Sequence, residues 1–280
     1  MQDNRGILLI ALGHPYFSHM AANLAVSIKY HDRDMPISII HDGQGFNMIE
    51  GWQQDLFNQI ECPKELLTGD PYFVKLHLDK LTPFVKTLFL DVDMVWNNFL
   101  KPSEMLDYLD GNEFTMVCRN ELDPNGELLS RWMDMKAVAA AYKVDKLYDV
   151  SSEVMYFEGQ PKVFEEARKA YKKPKTQVAK FGNGYPDEAF FIMAMAKLGI
   201  APHEVPFEPT YWEPRYFPKQ HSRQFISQFY AMSVGGAYTS SHIKKIYDSL
   251  MSHYFNSLGI AASPYQLVPK SRILKERRKI

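Results

Sequence analysis

Cysteine is scarce. The 280 residues hold only Cys62 and Cys118, too few for a disulfide framework and not spaced as a Cys-x-x-Cys metal pair, so both are expected to be core thiols in a reducing compartment. Net charge is equally sparse. The 32 Lys and Arg nearly cancel the 33 Asp and Glu, leaving a formal charge of -1, which excludes a whole-molecule pull toward nucleic acid or an anionic membrane and makes any polyanion binding local. No window approaches the roughly 20 apolar residues that span a bilayer. The apolar Ile7 to Leu12 is too short for a secretory signal and stops at Gly13-His14-Pro15, so a cytoplasmic location is expected. Phosphate-binding loops are lacking too: there is no Gly-x-Gly-x-x-Gly and no Gly-Lys-Ser/Thr.

What remains is an ordinary globular composition, 46% hydrophobic and 23% charged, in a chain long enough to bury a full core. Aromatic residues make up 14% and crowd the second half, as in Tyr211-Trp212 and Tyr216-Phe217. Such rings suit a ligand cleft or a loop-heavy core.

Gly6 to Leu12 is a continuous apolar run of strand length, as in a strand buried on both faces. A helix is expected over Ser18 to Tyr30, with Ser18 as its N-cap, and a second strand over Met35 to Ile40 ending at His41-Asp42-Gly43. Strand, helix, strand is a βαβ unit, and ligands of such sheets gather beyond the carboxyl ends of the strands. Further helices are expected over Asn47 to Ile60, Tyr72 to Leu81 (after Asp70-Pro71), from Pro102, over Leu128 to Tyr142, over Lys162 to Tyr171 and over Ala189 to Leu198, the last capped by Pro186-Asp187-Glu188. Phe114 to Val117 and Val154 to Phe157 read as short strands, Asp123 to Gly126 as a turn, Lys172 to Lys175 as a charged connector and Pro202 to Pro218 as a long irregular loop. Gly235-Gly236 precedes His242. The end is basic: Lys270, Arg272, Lys275, Arg277, Arg278 and Lys279 against Glu276.

The stretch with chemistry in it is Thr87 to Val95. A buried strand runs into Asp91-Val92-Asp93, and alternation along an extended chain aims both carboxylates one way while Val92 turns to the core. Two anions so close repel unless a cation lies between them, and a hard divalent ion suits their oxygens while leaving positions for water and a diphosphate.

With Lys75-Leu76-His77-Leu78-Asp79-Lys80-Leu81-Thr82-Pro83 ahead of it, Leu88-Phe89-Leu90-Asp91-Val92-Asp93 resembles the retaining glycosyltransferases of family 8, the group of glycogenin and galactinol synthase. The resemblance runs over about residues 5 to 245. It includes Ala11 and Tyr16 on the opening strand, Ser151-Ser152-Glu153-Val154 where the family has Asn-Ser-Gly-Val, and Asp187-Glu188 where it has Asp-Gln. It implies a GT-A fold: a Rossmann-like, mixed and mostly parallel sheet flanked by helices, in one compact domain with a C-terminal helix and loop extension. Residues 1–100 would be the nucleotide-sugar half, 101–245 the acceptor half and 246–280 the extension.

The function so implied is transfer of a sugar, with retention, from a nucleotide-diphosphate sugar such as a UDP-sugar to a hydroxyl acceptor. Asp91 and Asp93 would bind Mn²⁺ or Mg²⁺. Ala11, Tyr16, Lys75, Val92 and Lys244 would complete the donor site, Asp187 would hydrogen-bond the transferred sugar, and Glu153 is the candidate nucleophile. The family's third metal ligand is the histidine of His-x-x-Gly-x-x-Lys-Pro-Trp. The best match is His242-Ile243-Lys244-Lys245, without the Gly, Pro and Trp. A glycan, a lipid-linked sugar, a protein and a modified nucleic acid all stay open as acceptor, a homodimer stays open as assembly, and the basic tail could meet an anionic surface. Two other readings compete: a catalytically impaired nucleotide-sugar-binding protein, and a metal-dependent nucleotidyltransferase.

Overall fold

Apolar runs make the inner strands. β1 (Arg5–Ala11) and β2 (Ile37–His41) pair in parallel, Leu9 opposite Ile39, and their central side chains are buried. The computed structural model describes residues 4–70, 72–96, 100–122, 133–173, 177–180, 184–203, 210–211, 231–233 and 241–267, with backbone alone at 119–122, 210–211, 231–233 and 241–243. Next to β2 lies β3 (Asn58–Glu61), parallel, with Ile40 opposite Ile60. With β4 (Lys86–Leu90), β6 (Phe114–Leu122) and β7 (Leu147–Glu158) these form a mixed six-stranded sheet in the order β3-β2-β1-β4-β7-β6. A small second sheet is ordered β5 (Met94–Trp96), β9 (Ala231–Ser233), β8 (Thr210–Tyr211). Among the described residues the helices are α1 (Pro15–His31), α2 (Gly51–Gln54), α3 (Leu78–Leu81), α4 (Pro102–Leu109), α5 (Met135–Tyr142), α6 (Lys162–Lys172), α7 (Asp187–Leu198) and α8 (Ser241–Ser257). Among the described residues no helix is long and apolar enough to cross a membrane.

Several local expectations are corrected. The first helix starts at Pro15, not Ser18. His14 is its N-cap, its Nδ1 accepting the Tyr16 amide at 3.1 Å, and the proline pre-sets the first helical φ. Ser18 is buried one turn in. The helix expected over 47–60 breaks into a 3-10 turn, α2 and the edge strand β3, whose polar, exposed residues suit an edge. The helix over 72–81 is a 3-10 turn (Phe73–His77) followed by α3. The short strand expected over Val154 to Phe157 is the twelve-residue β7, which takes in Ser151 to Glu153 as well. Cys62 is buried, but Cys118 is exposed on β6. Pro71, the turn expected at 123–126, residues 128–132 of the helix expected over 128–142, the connector at 174–176, most of 202–218, Gly235-Gly236 and the basic tail lie outside the described residues, and the described part of that helix starts at Met135 with Asp134 as its N-cap.

The chain groups into two units. The first comprises Gly6–Glu61, Leu90–Tyr108 and Val205–Ile280. Its core forms where α8 brings Tyr247, Met251, Tyr254 and Phe255 into burial with the apolar side of α1. The wholly buried Asn23 of α1 donates to the Tyr247 hydroxyl at 2.8 Å and to the Tyr265 carbonyl at 2.7 Å, and accepts from the Tyr265 amide at 3.3 Å. Asn23→Ala strands these groups together, so unfolding stability is expected to fall by about 3 kcal/mol, read as a lower urea midpoint with unchanged m-value.

At the far end of α1, His31 and His253 face one another across Tyr30 and Tyr254. Burial, and the like charge of His253, lower His31 to about 4. The folded state therefore resists a proton that the unfolded chain accepts near 6.5. Stability is present at pH 7 and is expected to drain away as pH falls from 6.5 toward 4. Urea midpoints measured across that window should slope, and His31→Gln should flatten the slope.

The second unit comprises Met1–Arg5, Cys62–Phe89 and Leu109–Glu204. Phe114, Phe157, Phe164 and Phe191 pack edge-on or stacked, joining β6 and β7 to α6 and α7. Arg168 of α6 grips the buried Asp79 of α3 with both guanidinium nitrogens, at 2.6 and 3.1 Å, and donates to the Leu76 carbonyl at 2.8 Å. This clamp fixes the 3-10 turn that carries Lys75.

Candidate active site

The candidate residues fall in both units, and each half has its own architecture. In the first unit, the carboxyl ends of β1 and β2 form one rim. Gly13 turns left-handed at φ 77°, and its amide donates to Asp42 Oδ2 at 2.6 Å. Gly45 fits closely below, because a Cβ there would sit 2.8 Å from the His14 carbonyl carbon. Ala11 ends β1, and Tyr16 lies in the first turn of α1, each 1% exposed.

Asp91-Val92-Asp93 follows β4 as a turn rather than a continued strand. The turn is where the chain leaves the large sheet and enters β5 of the small one. Burial alternates as expected: Val92 is buried and both carboxylates are half-buried. Tyr247 lies near this turn. Its phenol is held well above the usual range by burial first, while the Asn23 hydrogen bond works the other way and Tyr16, Asp248 and Asp93 disfavour a further negative charge. Lys244 is committed to Asp248 one turn along α8, at 2.5 Å. His242 falls in the first turn of α8, and its side chain lies outside the described residues.

The oxygens of Asp91 and Asp93 are hard donors, half-open to solvent and backed by a buried valine, and they fit a divalent cation of the Mg²⁺ or Mn²⁺ kind. Among the described residues no group of three His, Cys, Asp or Glu side chains forms a metal cage. A cation held by two carboxylates leaves positions for other oxygens, as a diphosphate requires.

In the second unit, Lys75 projects from the 3-10 turn. Its ammonium reaches Ser152 Oγ at 3.3 Å and lies 5.3 Å from the centre of the Phe89 ring. Asp187 and Glu188 open α7 and are 3% and 9% exposed. Asp187 is the first helical residue. Pro186 holds the cap position with no side-chain cap bond. Leading into it, Asp70 accepts from the Tyr72 amide at 3.0 Å, the Tyr171 hydroxyl at 2.7 Å and the Tyr185 amide at 3.2 Å. Any Cβ on Gly184 would come within 2.2 Å of Asp70 Oδ1. Only glycine lets this segment close on Asp70 as it does. Glu153 is half-buried on β7, its amide donating to Ser151 Oγ at 3.3 Å.

The structure thus groups Lys75 with Ser152 and Glu188, and sets Asp93 and Tyr16 about Tyr247. Sequence reasoning did not select Asn23 or Tyr247, and it named Asp70 only ahead of a helix and Ser152 only within the resemblance to family 8. Asn23 had a signal, as a polar residue in the middle of an apolar helical face, whereas Tyr247 acquires meaning only through partners distant in sequence.

No protein-family model matches the chain, and no curated protein matches it in sequence. Solved structures do. A galactosyltransferase, LgtC, in complex with donor and acceptor sugar analogues is 12% identical with a TM-score of 0.57, covering 96% of this chain and 99% of that one. The bifunctional glycosyltransferase WbbM is 12% identical at a TM-score of 0.61, and the match takes in 98% of this chain and 52% of WbbM. The glycosyltransferase GlyE of Streptococcus pneumoniae TIGR4, in its apo form, is 12% identical at 0.56, over 94% of this chain and 65% of GlyE. The mixed sheet and flanking helices described above are the GT-A fold of these glycosyltransferases.

Proposed function

We propose that the chain is a metal-dependent, retaining glycosyltransferase that moves a hexosyl or pentosyl group from a UDP-sugar to a hydroxyl acceptor in the cytoplasm. The observation that carries this reading is the turn Asp91-Val92-Asp93, two half-buried carboxylates on a buried valine where β4 gives way to β5. The likeness in fold to glycosyltransferases supports it. Asp91 and Asp93 hold the cation, with His242 as the third protein ligand. When bound, a hard divalent ion neutralises the charge that develops on the diphosphate oxygens as the nucleoside diphosphate departs.

Lys75 adds positive charge on the same oxygens, and Lys244 reaches them once it exchanges its Asp248 partner. Ala11, Tyr16 and Val92 shape the nucleoside side, in the half formed by residues 1–100. Asp187 accepts a hydrogen bond from the sugar, and Glu153 faces the anomeric carbon from the acceptor half at 101–245. The basic residues beyond 270 approach an anionic acceptor. Purified protein with Mn²⁺ and a panel of nucleotide sugars should release free nucleoside diphosphate from one donor, and chelation should stop it. Release that survives chelation would remove the metal from the reaction, and inorganic pyrophosphate as the product would make the chain a nucleotidyltransferase.

A further inference from the structure

β7 is broken in register where its chemistry lies. Met155 pairs with Met116 and Ser151 with Val117, so Ser152, Glu153 and Val154 are extra residues with no counterpart on β6. A bulge of this kind re-aims backbone groups that would otherwise be used up in the ladder, and bulges concentrate next to active sites. Here the Ser152 amide donates to Glu188 Oε1 at 3.3 Å, on the first turn of α7. The other side of the same residue meets Lys75, whose ammonium donates to Ser152 Oγ at 3.3 Å and to its carbonyl oxygen at 3.5 Å. Ser152 is 4% exposed and Glu188 9%. A first-turn glutamate needs no such burial to favour a helix dipole, which a solvated side chain serves equally well. Burying a carboxylate is costly unless it is hydrogen-bonded, so Glu188 and Ser152 fix one another.

We infer that Glu188 is a positioning residue for Lys75. It holds the bulged Ser152, and Ser152 presents its hydroxyl and carbonyl to the ammonium, so that Lys75 is ordered before a diphosphate arrives. Ordering the cation in advance avoids reorganisation when charge develops on the leaving group. The inference rests on the transferase reading for its purpose, but the positioning itself is measurable without turnover.

Two readouts separate the two ideas. The first is the rate at which the Lys75 amine is acetylated by limiting acetic anhydride, followed by peptide mass spectrometry. Losing one hydrogen-bonded anchor should raise that rate about tenfold in Glu188→Ala, and to a similar degree in Ser152→Ala, which keeps the amide but loses the hydroxyl. Glu188→Gln retains an acceptor oxygen for the Ser152 amide and should restore slow labelling. The second readout is donor turnover. Glu188→Ala should lower kcat by about tenfold with KM little changed, because the lysine acts on charge that appears in the transition state. In a Lys75→Met background the same substitution should have no further effect.

Equal labelling of Lys75 in all four proteins overturns the inference, as does an undiminished Glu188→Ala effect in the Lys75→Met background. Unequal labelling with no turnover from any donor keeps the positioning and defeats the transferase reading.

Discussion

Asp93→Asn is expected to cut metal-dependent donor turnover on the order of 10³-fold, the equivalent of about 4 kcal/mol of transition-state stabilisation withdrawn from a leaving diphosphate. The substitution keeps shape and hydrogen-bonding capacity but removes the charge that makes the side chain a ligand for a hard cation. The fold should not suffer. Asp93 is half-buried in a turn between two sheets, and its charge stands against neighbouring Asp91. Relieving that repulsion should leave the melting temperature level or slightly higher, and circular dichroism melts alongside nucleoside diphosphate release would read both. A variant that melts normally and turns over at the wild-type rate would remove Asp93 from the site. Asp91→Asn should behave alike, since the cation needs both carboxylates.

The largest expected effect on stability lies elsewhere, at Asp79. Its side chain is 2% exposed against 14% for Arg168, and the guanidinium meets both carboxylate oxygens. Asp79→Ala leaves a buried guanidinium with only the Leu76 carbonyl of this set to satisfy it. Stranding one partner of such a pair costs about 3–5 kcal/mol, which in a chain of this size lowers Tm on the order of 10 °C. Arg168→Lys should be nearly as harmful, because a single ammonium cannot reproduce the two-pronged grip. Replacing both together, Asp79→Leu with Arg168→Met, should recover most of the loss, since no charge is then left behind. If the double variant melts no higher than Asp79→Ala, the clamp contributes through shape and not through paired charge.

How legible the fold was depended on whether a segment's signal was its own. β1, β2 and β4 are apolar runs buried on both faces and could be read directly, as could α4, α6 and α7. β3 could not. Asn58-Gln59-Ile60-Glu61 is an exposed edge whose strand state comes from pairing with β2, and no periodicity within it announces that pairing. β7 showed only its apolar end, Val154 to Phe157, because the bulge at 152–154 interrupts the alternation that would have revealed the rest. At α1 the residue type misled: Ser18 is the better cap by propensity, yet Pro15 set the start and His14 supplied the acceptor.

The site divides in the same way. The carboxylates of Asp91 and Asp93 were visible because the motif is local and its context, the Lys75 to Pro83 segment and the strand, is contiguous. Glu188 read as part of a helix cap, and its bond to an amide 36 residues away could not be read from its neighbours. Asn23 and Tyr247, 224 residues apart, are likewise defined by a contact. Long-range polar pairs are chosen by the fold, so sequence patterns that work within one element do not reach them.

If Asp91 and Asp93 hold a cation that joins the protein to a diphosphate, calorimetric titration with UDP, in the presence of Mn²⁺ and again with chelator, reads it without knowledge of sugar or acceptor. Binding should be at least about 100-fold tighter with Mn²⁺, a coupling of roughly 2.7 kcal/mol, abolished in the Asp91→Asn, Asp93→Asn double variant. UDP affinity that is the same with and without the metal, or the same coupling in the double variant, would contradict it.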